Sequence, residues 1–251
     1  MSIRIESPAQ PERRGSPSEP SRVDLVDDDA SVRRSLNRLL RAAGYDARAY
    51  ADAAAFLAAV GTCGPPSCLL VDLRLPGASG LDLQQELRER GLETPLVFIS
   101  GRADVRSGID ALKGGAVDFL EKPFTDEALL GAVARAVEQD RRRRAWLADR
   151  ARLAGRLETL TPREREVFSL VVTGLLNKQV GAEIGTTEKT VKVHRARVMQ
   201  KMGAGSLAQL VRMADRLRPL EAADRPVCEP DDSSAEAEVW RPAAGQGRGV
   251  I

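Results

Sequence analysis

Histidine and cysteine are scarce in this chain of 251 residues, and their scarcity limits the chemistry that it can carry. His194 is the single histidine, so no metal site built from several histidines can form. The three cysteines, Cys63, Cys68 and Cys228, cannot all pair, and their spacing does not mark them as metal ligands. We expect reduced thiols, with Cys68 in the core because it opens an apolar run.

Long apolar runs are also absent from the sequence. No stretch approaches the ~20 apolar residues of a membrane helix, and the N-terminus lacks the apolar core of a signal peptide. With 43% hydrophobic and 29% charged residues, the composition is that of a globular chain. These features predict a cytoplasmic protein that has no membrane partner.

The net charge of +2 hides two regions of opposite sign. Residues 161–218 carry six more basic than acidic side chains, whereas residues 219–251 carry four more acidic than basic ones. A basic block of this size favours nucleic acid as a partner. The ends of the chain have little to bury, so we predict a disordered arm at residues 1–21 and a disordered acidic tail at residues 219–251.

Apolar strand patterns alternate with helical patterns between residues 22 and 138. The five predicted strands cover residues 23–26, 45–50, 68–73, 96–100 and 117–121, with helices between them. This alternation predicts an α/β fold with a doubly wound, five-stranded parallel sheet. A second, all-α domain is predicted at residues 158–218.

Residues 139–157 are predicted to form a helical linker, which continues a long helix that starts near Thr125. The four consecutive arginines 141–144 are typical of a solvated helix face. Three leucines add an apolar stripe for packing or self-association. These are Leu147, Leu153 and Leu157.

Polar side chains occur where the predicted strands end. Asp27 and Asp28 follow the first strand, Asp72 lies near the end of the third, and Ser100 and Lys122 mark the ends of the fourth and fifth. In a doubly wound sheet these ends form the binding site, so the five side chains should converge. Three close carboxylates repel one another unless a cation neutralises them, and an open set of oxygen ligands suits Mg²⁺. An aspartate in such a site can act as a nucleophile towards phosphorus.

Four separated motifs, VDDDASVRRSL, VDLRLPGASGLDL, FISG and GAVDFLEKPF, occur in this order within residues 22–138. They resemble the receiver domain of two-component response regulators, most closely the FixJ type. The resemblance implies that Asp72 is the phosphoacceptor. It also implies that Mg²⁺ is bound by Asp27, Asp28, Asp72 and the backbone carbonyl of Arg74.

The same resemblance assigns roles to residues around the phosphoacceptor. Ser100 is implied as the switch hydroxyl, and Lys122 as the phosphate-binding lysine with a cis bond to Pro123. Phe119 stands at the aromatic switch position, although a phenylalanine in a strand is equally typical of a core residue.

The segment NKQVGAEIGTTEKTVKVHRA, residues 177–196, predicts a helix-turn-helix. A short helix leads to a turn at Gly185, and Thr187 caps a second, basic helix. Such a helix fits the major groove of DNA, where basic side chains meet the phosphates. The predicted DNA-contacting residues are Lys178, Thr187, Lys189, Thr190, Lys192, Val193, His194, Arg195, Arg197 and Lys201.

Residues 158–218 resemble the helix-turn-helix domain of the LuxR/NarL/FixJ family. This resemblance implies base contacts from Lys192 and Val193. The implied phosphate contacts are Lys178, Lys189, Thr190 and Lys201. Gly181 replaces the usual alanine, which weakens the first helix by ~1 kcal/mol. Ala196 replaces a basic contact residue of some relatives, so their base preference cannot be transferred.

The two resemblances together imply a DNA-binding transcriptional regulator that is not an enzyme. A sensor histidine kinase would phosphorylate Asp72, and the added charge would control dimerisation and the binding of double-stranded promoter DNA. RNA polymerase is a further expected partner, and the phosphorylated chain is expected to be a homodimer.

Two alternatives stay open at this point. In a regulator of the same architecture, DNA binding can be independent of phosphorylation. An aspartyl-phosphate phosphatase is the enzyme alternative, but such enzymes usually carry a second aspartate two residues after the nucleophile, where this chain has Arg74.

Overall fold

A computed structural model of the chain describes residues 20–101 and 105–218. Of the two segments predicted to be disordered, only residues 20 and 21 lie within these ranges. The N-terminal part alternates strands and helices in chain order. Its elements are β1 (Arg22–Val26), α1 (Ala30–Ala42), β2 (Asp46–Tyr50), α2 (Ala53–Cys63), β3 (Cys68–Asp72), β4 (Arg74–Leu75), β5 (Ala78–Ser79), α3 (Gly80–Glu89), β6 (Leu96–Ser100), α4 (Val105–Lys113) and β7 (Asp118–Glu121).

The described elements of the C-terminal part are all helices. Its elements are α5 (Asp126–Glu158), α6 (Pro162–Val171), α7 (Asn177–Glu183), α8 (Glu188–Met202) and α9 (Leu207–Leu217). Not one of the described helices is both long enough and apolar enough to cross a membrane.

Five parallel strands form the sheet in the order β2-β1-β3-β6-β7, which confirms the predicted α/β fold. Each strand limit lies within one residue of the sequence prediction. The strand order reverses between β1 and β3, and ligands bind beyond the strand ends at such a switch point. The short antiparallel pair β4–β5 was not predicted; it pairs Arg74 with Ser79.

Both faces of the sheet are covered, because neighbouring residues of a strand point to opposite sides. In β3, Leu70 packs into a core with helices α1 and α5, whereas Leu69 packs into a second core with α2 and α3. Every residue of β3 is buried, as expected for a central parallel strand.

Helix α5 belongs to two hydrophobic cores. Its first turns bury Leu129 and Val133 against the sheet. Near its end, Leu153 is buried, Leu157 packs against the core of the C-terminal helices, and Arg156 donates a 2.7 Å hydrogen bond to the carbonyl of Met202. The predicted linker is therefore packed at both ends.

Three of the four arginines in the middle of α5 are exposed as predicted, and only Arg143 is partly buried. Arg141 and Arg142 are exposed and pair with Glu138. Arg143 and Arg144 instead bond the buried carboxylate of Asp140 at 2.7 and 2.5 Å. Arg144 also donates to the carbonyl of Pro65 at 3.2 Å, which ties α5 to the N-terminal edge of the sheet. Of the predicted apolar stripe, Leu147 is exposed.

Candidate functional site

Three carboxylates meet at the switch point between β1 and β3. Asp27 directly follows β1 and is fully buried, Asp72 is the last residue of β3, and Asp28 is exposed. One oxygen from each side chain lies within 4.8 Å of the other two. The structure therefore brings together the three acids that the sequence places at separate strand ends.

Lys122 joins two of these acids. Its ammonium nitrogen lies 2.9 Å from Oδ2 of Asp27 and 2.7 Å from Oδ2 of Asp72. Its backbone N–H donates to the carbonyl of Ser100, and the bond to Pro123 is cis, as expected. Partial burial lowers the pKa of Lys122, but the hydrogen bonds to Asp72 and Asp27 outweigh that effect, so the pKa is raised. The side chain therefore stays cationic near neutral pH.

Backbone donors fix the other carboxylate oxygens. The N–H of Asp29 donates to Oδ1 of Asp27, and the N–H of Arg74 donates to Oδ1 of Asp72, each at 2.8 Å. The β4–β5 pair holds Arg74 in this place. Arg33 adds a 2.6 Å bond to the backbone carbonyl of Asp27. The two buried acids are thus oriented before any ligand binds.

The third consecutive acid, Asp29, has a different role, which was not predicted from the sequence. Its Oδ1 accepts the N–H groups of Ser31 and Val32 at 2.6 and 3.3 Å and so caps α1. These bonds lower the pKa of Asp29. An aspartate immediately before a helical pattern is the signal that indicates such a cap.

Ser100 and Phe119 lie on the strands that follow Asp72 across the sheet. Ser100 is buried at the end of β6, one residue beyond the partner of Asp72 in the register. Phe119 lies in β7 and is partly buried. Its ring also lies against Gly108 of α4. Both positions fit the roles implied by the resemblance, and the burial of Phe119 also fits a core residue.

Helices α7 and α8 form the predicted helix-turn-helix. Thr187 caps α8 by accepting the N–H of Thr190 at 3.2 Å, and Gly185 adopts a positive φ of 65° in the turn. Gly181 is buried where α7 meets this turn, and a Cβ there would lie 2.8 Å from the carbonyl oxygen of Thr186. This close approach favours glycine at a position where helix propensity alone favours alanine.

Helix α8 has an apolar and a basic side. Val191, Val198 and Met202 are buried in the helical core. On the other side four predicted DNA-contacting residues are exposed: they are Lys189, Lys192, Val193 and Arg197. Lys178 is exposed at the start of α7, beside this surface along the chain. An exposed valine between basic residues is suited to an apolar contact with a base edge.

Three other predicted DNA-contacting residues face inward or already have protein partners. Lys201 binds the buried carboxylate of Glu164 at 2.6 Å and the carbonyl of Thr159 at 2.9 Å. Arg195 donates to Oδ1 of Asn177 at 3.1 Å, which joins α8 to α7. His194 is partly buried, and its Nδ1 has no hydrogen-bond partner within the described ranges.

Comparison with known proteins identifies both halves of the chain. Residues 23–134 match the family described as response regulator receiver domain, and residues 158–214 match bacterial regulatory proteins of the luxR family. The transcriptional regulatory protein FixJ of Azorhizobium caulinodans is 43% identical over 196 residues, which cover 76% of this chain and 90% of that protein. This chain is a response regulator of the FixJ type.

Further relatives have the same two-domain extent. Nodulation protein W of Bradyrhizobium diazoefficiens is 49% identical over 195 residues, covering 78% of this chain and 86% of the relative. The solved structure of the response regulator StyR has 38% identity and a TM-score of 0.68, covering 79% of this chain and all of StyR. Full-length FixJ from B. japonicum, also 38% identical, has a TM-score of 0.51 and covers 80% of this chain and 98% of that one.

In this response regulator, one helical turn separates the contacts of α5 with the two domains. The receiver domain holds α5 as far as Arg144. The DNA-binding domain holds it from Asp149, which pairs with Arg216 at 2.8 Å, and from Arg150, which donates to the carbonyl of Arg218 at 3.4 Å. Residues 145–148 lie between these contacts and are helical. The two domains are therefore joined by continuous helix.

Proposed function

We propose that this response regulator accepts a phosphoryl group on Asp72 from a sensor histidine kinase, and that phosphorylation controls its dimerisation and promoter binding. The convergence of Asp27, Asp28, Asp72 and Lys122 at the switch point of the sheet is the observation that carries the proposal. A fold that gathers three acids around one lysine is suited to binding a phosphoryl group with a cation.

The donor set fits a magnesium ion. Lys122 pairs with two of the three carboxylates, Asp27 and Asp72, and Arg33 adds one further positive charge at the backbone of Asp27, so negative charge remains in excess within the cluster. Asp27, Asp28 and Asp72 would hold Mg²⁺, and the family resemblance adds the backbone carbonyl of Arg74. When bound, the ion neutralises charge on the phosphoryl oxygens as the carboxylate approaches.

The transfer uses one oxygen of Asp72 as the nucleophile. This oxygen forms a bond to the phosphorus of the phosphohistidine of the kinase, and the phosphorus–nitrogen bond breaks. The electron pair of the broken bond stays on the imidazole. Hydrogen bonds to the Oδ atoms orient the carboxylate, so little reorganisation is needed. Lys122 can then pair with a phosphoryl oxygen, and the hydroxyl of Ser100 can donate a hydrogen bond to another.

DNA binding in this proposal uses the exposed basic side of the helix-turn-helix. Lys178, Lys189 and Thr190 contact phosphates, and Lys192, Val193 and Arg197 face the groove. Thr187 caps the start of α8 by accepting the backbone N–H of Thr190. We assign Lys201 and Arg195 to the internal cohesion of the domain, because protein partners already occupy them. His194 is left with a structural role.

The proposed partners follow from this assignment. They are a sensor histidine kinase, double-stranded promoter DNA, a second copy of the phosphorylated chain, and RNA polymerase at the promoter. We place the protein in the cytoplasm, where these partners meet. We also propose that it is a regulator and not an enzyme. Two recognition helices in a dimer would meet half-sites about 34 Å apart or a multiple of that spacing.

Replacing Asp72 with Asn tests the phosphoacceptor. Wild type incubated with acetyl phosphate and Mg²⁺ should gain one phosphoryl group by intact mass and bind promoter DNA more tightly. Asp72→Asn should do neither, because an amide oxygen is a poor nucleophile. Asp46→Asn is the matched control, since Asp46 begins β2 at the opposite edge of the sheet.

Two results would count against the proposal. Equal labelling of Asp72→Asn and wild type would contradict the site. Labelled wild type whose DNA affinity is unchanged would favour the alternative in which DNA binding is independent of phosphorylation.

A further inference from the structure

A buried amide connects α3 to the C-terminal end of α4. The side chain of Gln84 is almost fully buried, and its Nε2 donates to the carbonyls of Ala111 at 3.3 Å and Gly114 at 2.8 Å. The carbonyl of Ala111 lies in the last turn of α4 and also accepts the N–H of Ala116 at 3.1 Å, and Gly114 directly follows the helix. A single side chain of α3 therefore holds two backbone groups at the end of its neighbour.

The contact is tight on both sides. The amide nitrogen has two protons, and the two carbonyls use both of them. A Cβ at Gly114 would lie only 2.5 Å from Oε1 of Gln84, so a side chain there would displace the amide from its present position. Arg88, one turn later on α3, adds a 2.5 Å bond to the carbonyl of Gly114.

Nearer its start, α4 meets the sheet through a contact of another kind. Gly108 faces the ring of Phe119, and a Cβ at Gly108 would lie 3.5 Å from two ring carbons. Glycine leaves no side chain to interlock with that ring. Such an apolar contact does not fix direction, whereas the hydrogen bonds at the far end do. Among the described contacts, hydrogen bonds therefore fix the C-terminal end of α4, whereas its contact with Phe119 is apolar only.

We infer that Gln84 is a positioning residue that holds α4 in the resting arrangement of the receiver domain. The inference rests on the proposed phosphorylation switch, in which Ser100 and Phe119 respond to the phosphoryl group. Movement of Phe119 is transmitted to α4 at Gly108, and the bonds of Gln84 oppose it. Loss of the two hydrogen bonds of Gln84, with the bonds of Arg88 to Gly114 and of Ala116 to Ala111 kept, should shift the equilibrium between resting and switched α4 by about tenfold.

Gln84→Met tests this role, because methionine keeps the length of the side chain and removes both donors. Gln85→Met is the matched control: Gln85 is the next residue of α3, is exposed, and bonds only Glu89 among the hydrogen bonds of the described residues. Hydrogen–deuterium exchange over residues 105–121 and the dimerisation constant are measured for both variants and wild type. Each is measured with and without acetyl phosphate and Mg²⁺, and phosphorylation is followed by intact mass.

Without the phosphodonor, Gln84→Met should show the exchange that wild type shows only with it, and dimerise about tenfold more strongly. Exchange over β1 and α1 should stay as in wild type, and all three proteins should be phosphorylated to the same extent. A Gln84→Met protein that matches Gln85→Met, or whose exchange rises throughout the receiver domain, would overturn the inference. If wild type is not phosphorylated, or is phosphorylated without any change over residues 105–121, the proposed switch itself fails and the role of Gln84 falls with it.

Discussion

Glu164 and Lys201 form an ion pair that joins α6 to α8 inside the DNA-binding domain. The carboxylate is buried, and its hydrogen bonds with Lys201 and with the N–H of Thr161 lower the pKa of Glu164 to about 2. A carboxyl group with a depressed pKa stabilises the fold above its ordinary pKa, and this stabilisation is lost as the pH falls towards the depressed value. The pair should therefore stabilise the domain at neutral pH and lose its effect between pH ~4.5 and ~2.

Glu164→Gln should lower the free energy of unfolding at pH 7 by about 2 kcal/mol, below the range for fully buried pairs because Lys201 is partly exposed. The difference from wild type should shrink as the pH falls from 5 to 2, which urea unfolding at several pH values can measure. Glu166→Gln is the control, because Glu166 forms an exposed pair with Arg163. A constant difference across this pH range would show that the ionised pair is not its source.

Some site residues could be predicted from the sequence and others could not, for a physical reason. Asp27, Asp72 and Lys122 follow apolar runs, and the sheet topology alone brings strand ends together. Sheet topology does not distinguish the three consecutive aspartates, but Asp29 carries a separate sequence signal for a cap, because it stands immediately before a helical pattern. The pairing of Lys201 with Glu164 could not be predicted, since it depends on how two separate helices pack.

At the scale of elements, we expect different effects from replacing an exposed lysine and a partly buried, paired lysine of the DNA-binding domain. Lys178 is exposed, so Lys178→Ala should weaken binding to all DNA sequences and reduce the slope of log affinity against log salt by about 1. Lys201→Met should leave the slope unchanged and lower the unfolding midpoint instead. Fluorescence anisotropy over a salt series measures the slopes. An equal reduction of the slope in both variants would show that Lys201 also contacts a DNA phosphate.

The elements were predictable where a pattern repeats. Five strands were located to within one residue because each is an apolar run, or in β2 an alternation of polar and apolar residues, next to a helical pattern. The β4–β5 pair was missed because two residues per strand show no periodicity, yet this pair sets the N–H of Arg74 against Asp72. The role of Gln84 was missed for a similar reason: its partners are backbone carbonyls, which carry no sequence signal.

At the scale of the whole molecule, we expect α5 to couple the two domains through their relative rotation about the helix axis. Its 33 residues form one helix, and each added residue rotates the DNA-binding domain by about 100° around the helix axis. One, two or three alanines inserted after Ala145 should disrupt the response of DNA binding to phosphorylation. Seven alanines, about two turns, should restore most of it, and phosphorylation itself should be unaffected. A response that falls steadily with insert length, or survives every insert, would contradict rigid coupling.

The continuity of this helix was predictable from its pattern, but its attachments were not. Four adjacent arginines predict a solvated helix face. Only the folded structure shows that two of them pair with the buried carboxylate of Asp140. The same applies to Leu157, which packs against the core formed by the C-terminal helices.

Because α5 completes both hydrophobic cores, neither domain ends where the other begins. A cut in this helix outside residues 145–148 leaves at least one fragment with exposed apolar side chains, so the two domains are not independent units joined by a flexible linker. Recombination that exchanges the DNA-binding domain of such a protein preserves the coupling only where the length of the joining helix changes by whole turns. Lineages that recombine here should therefore differ in linker length by whole turns.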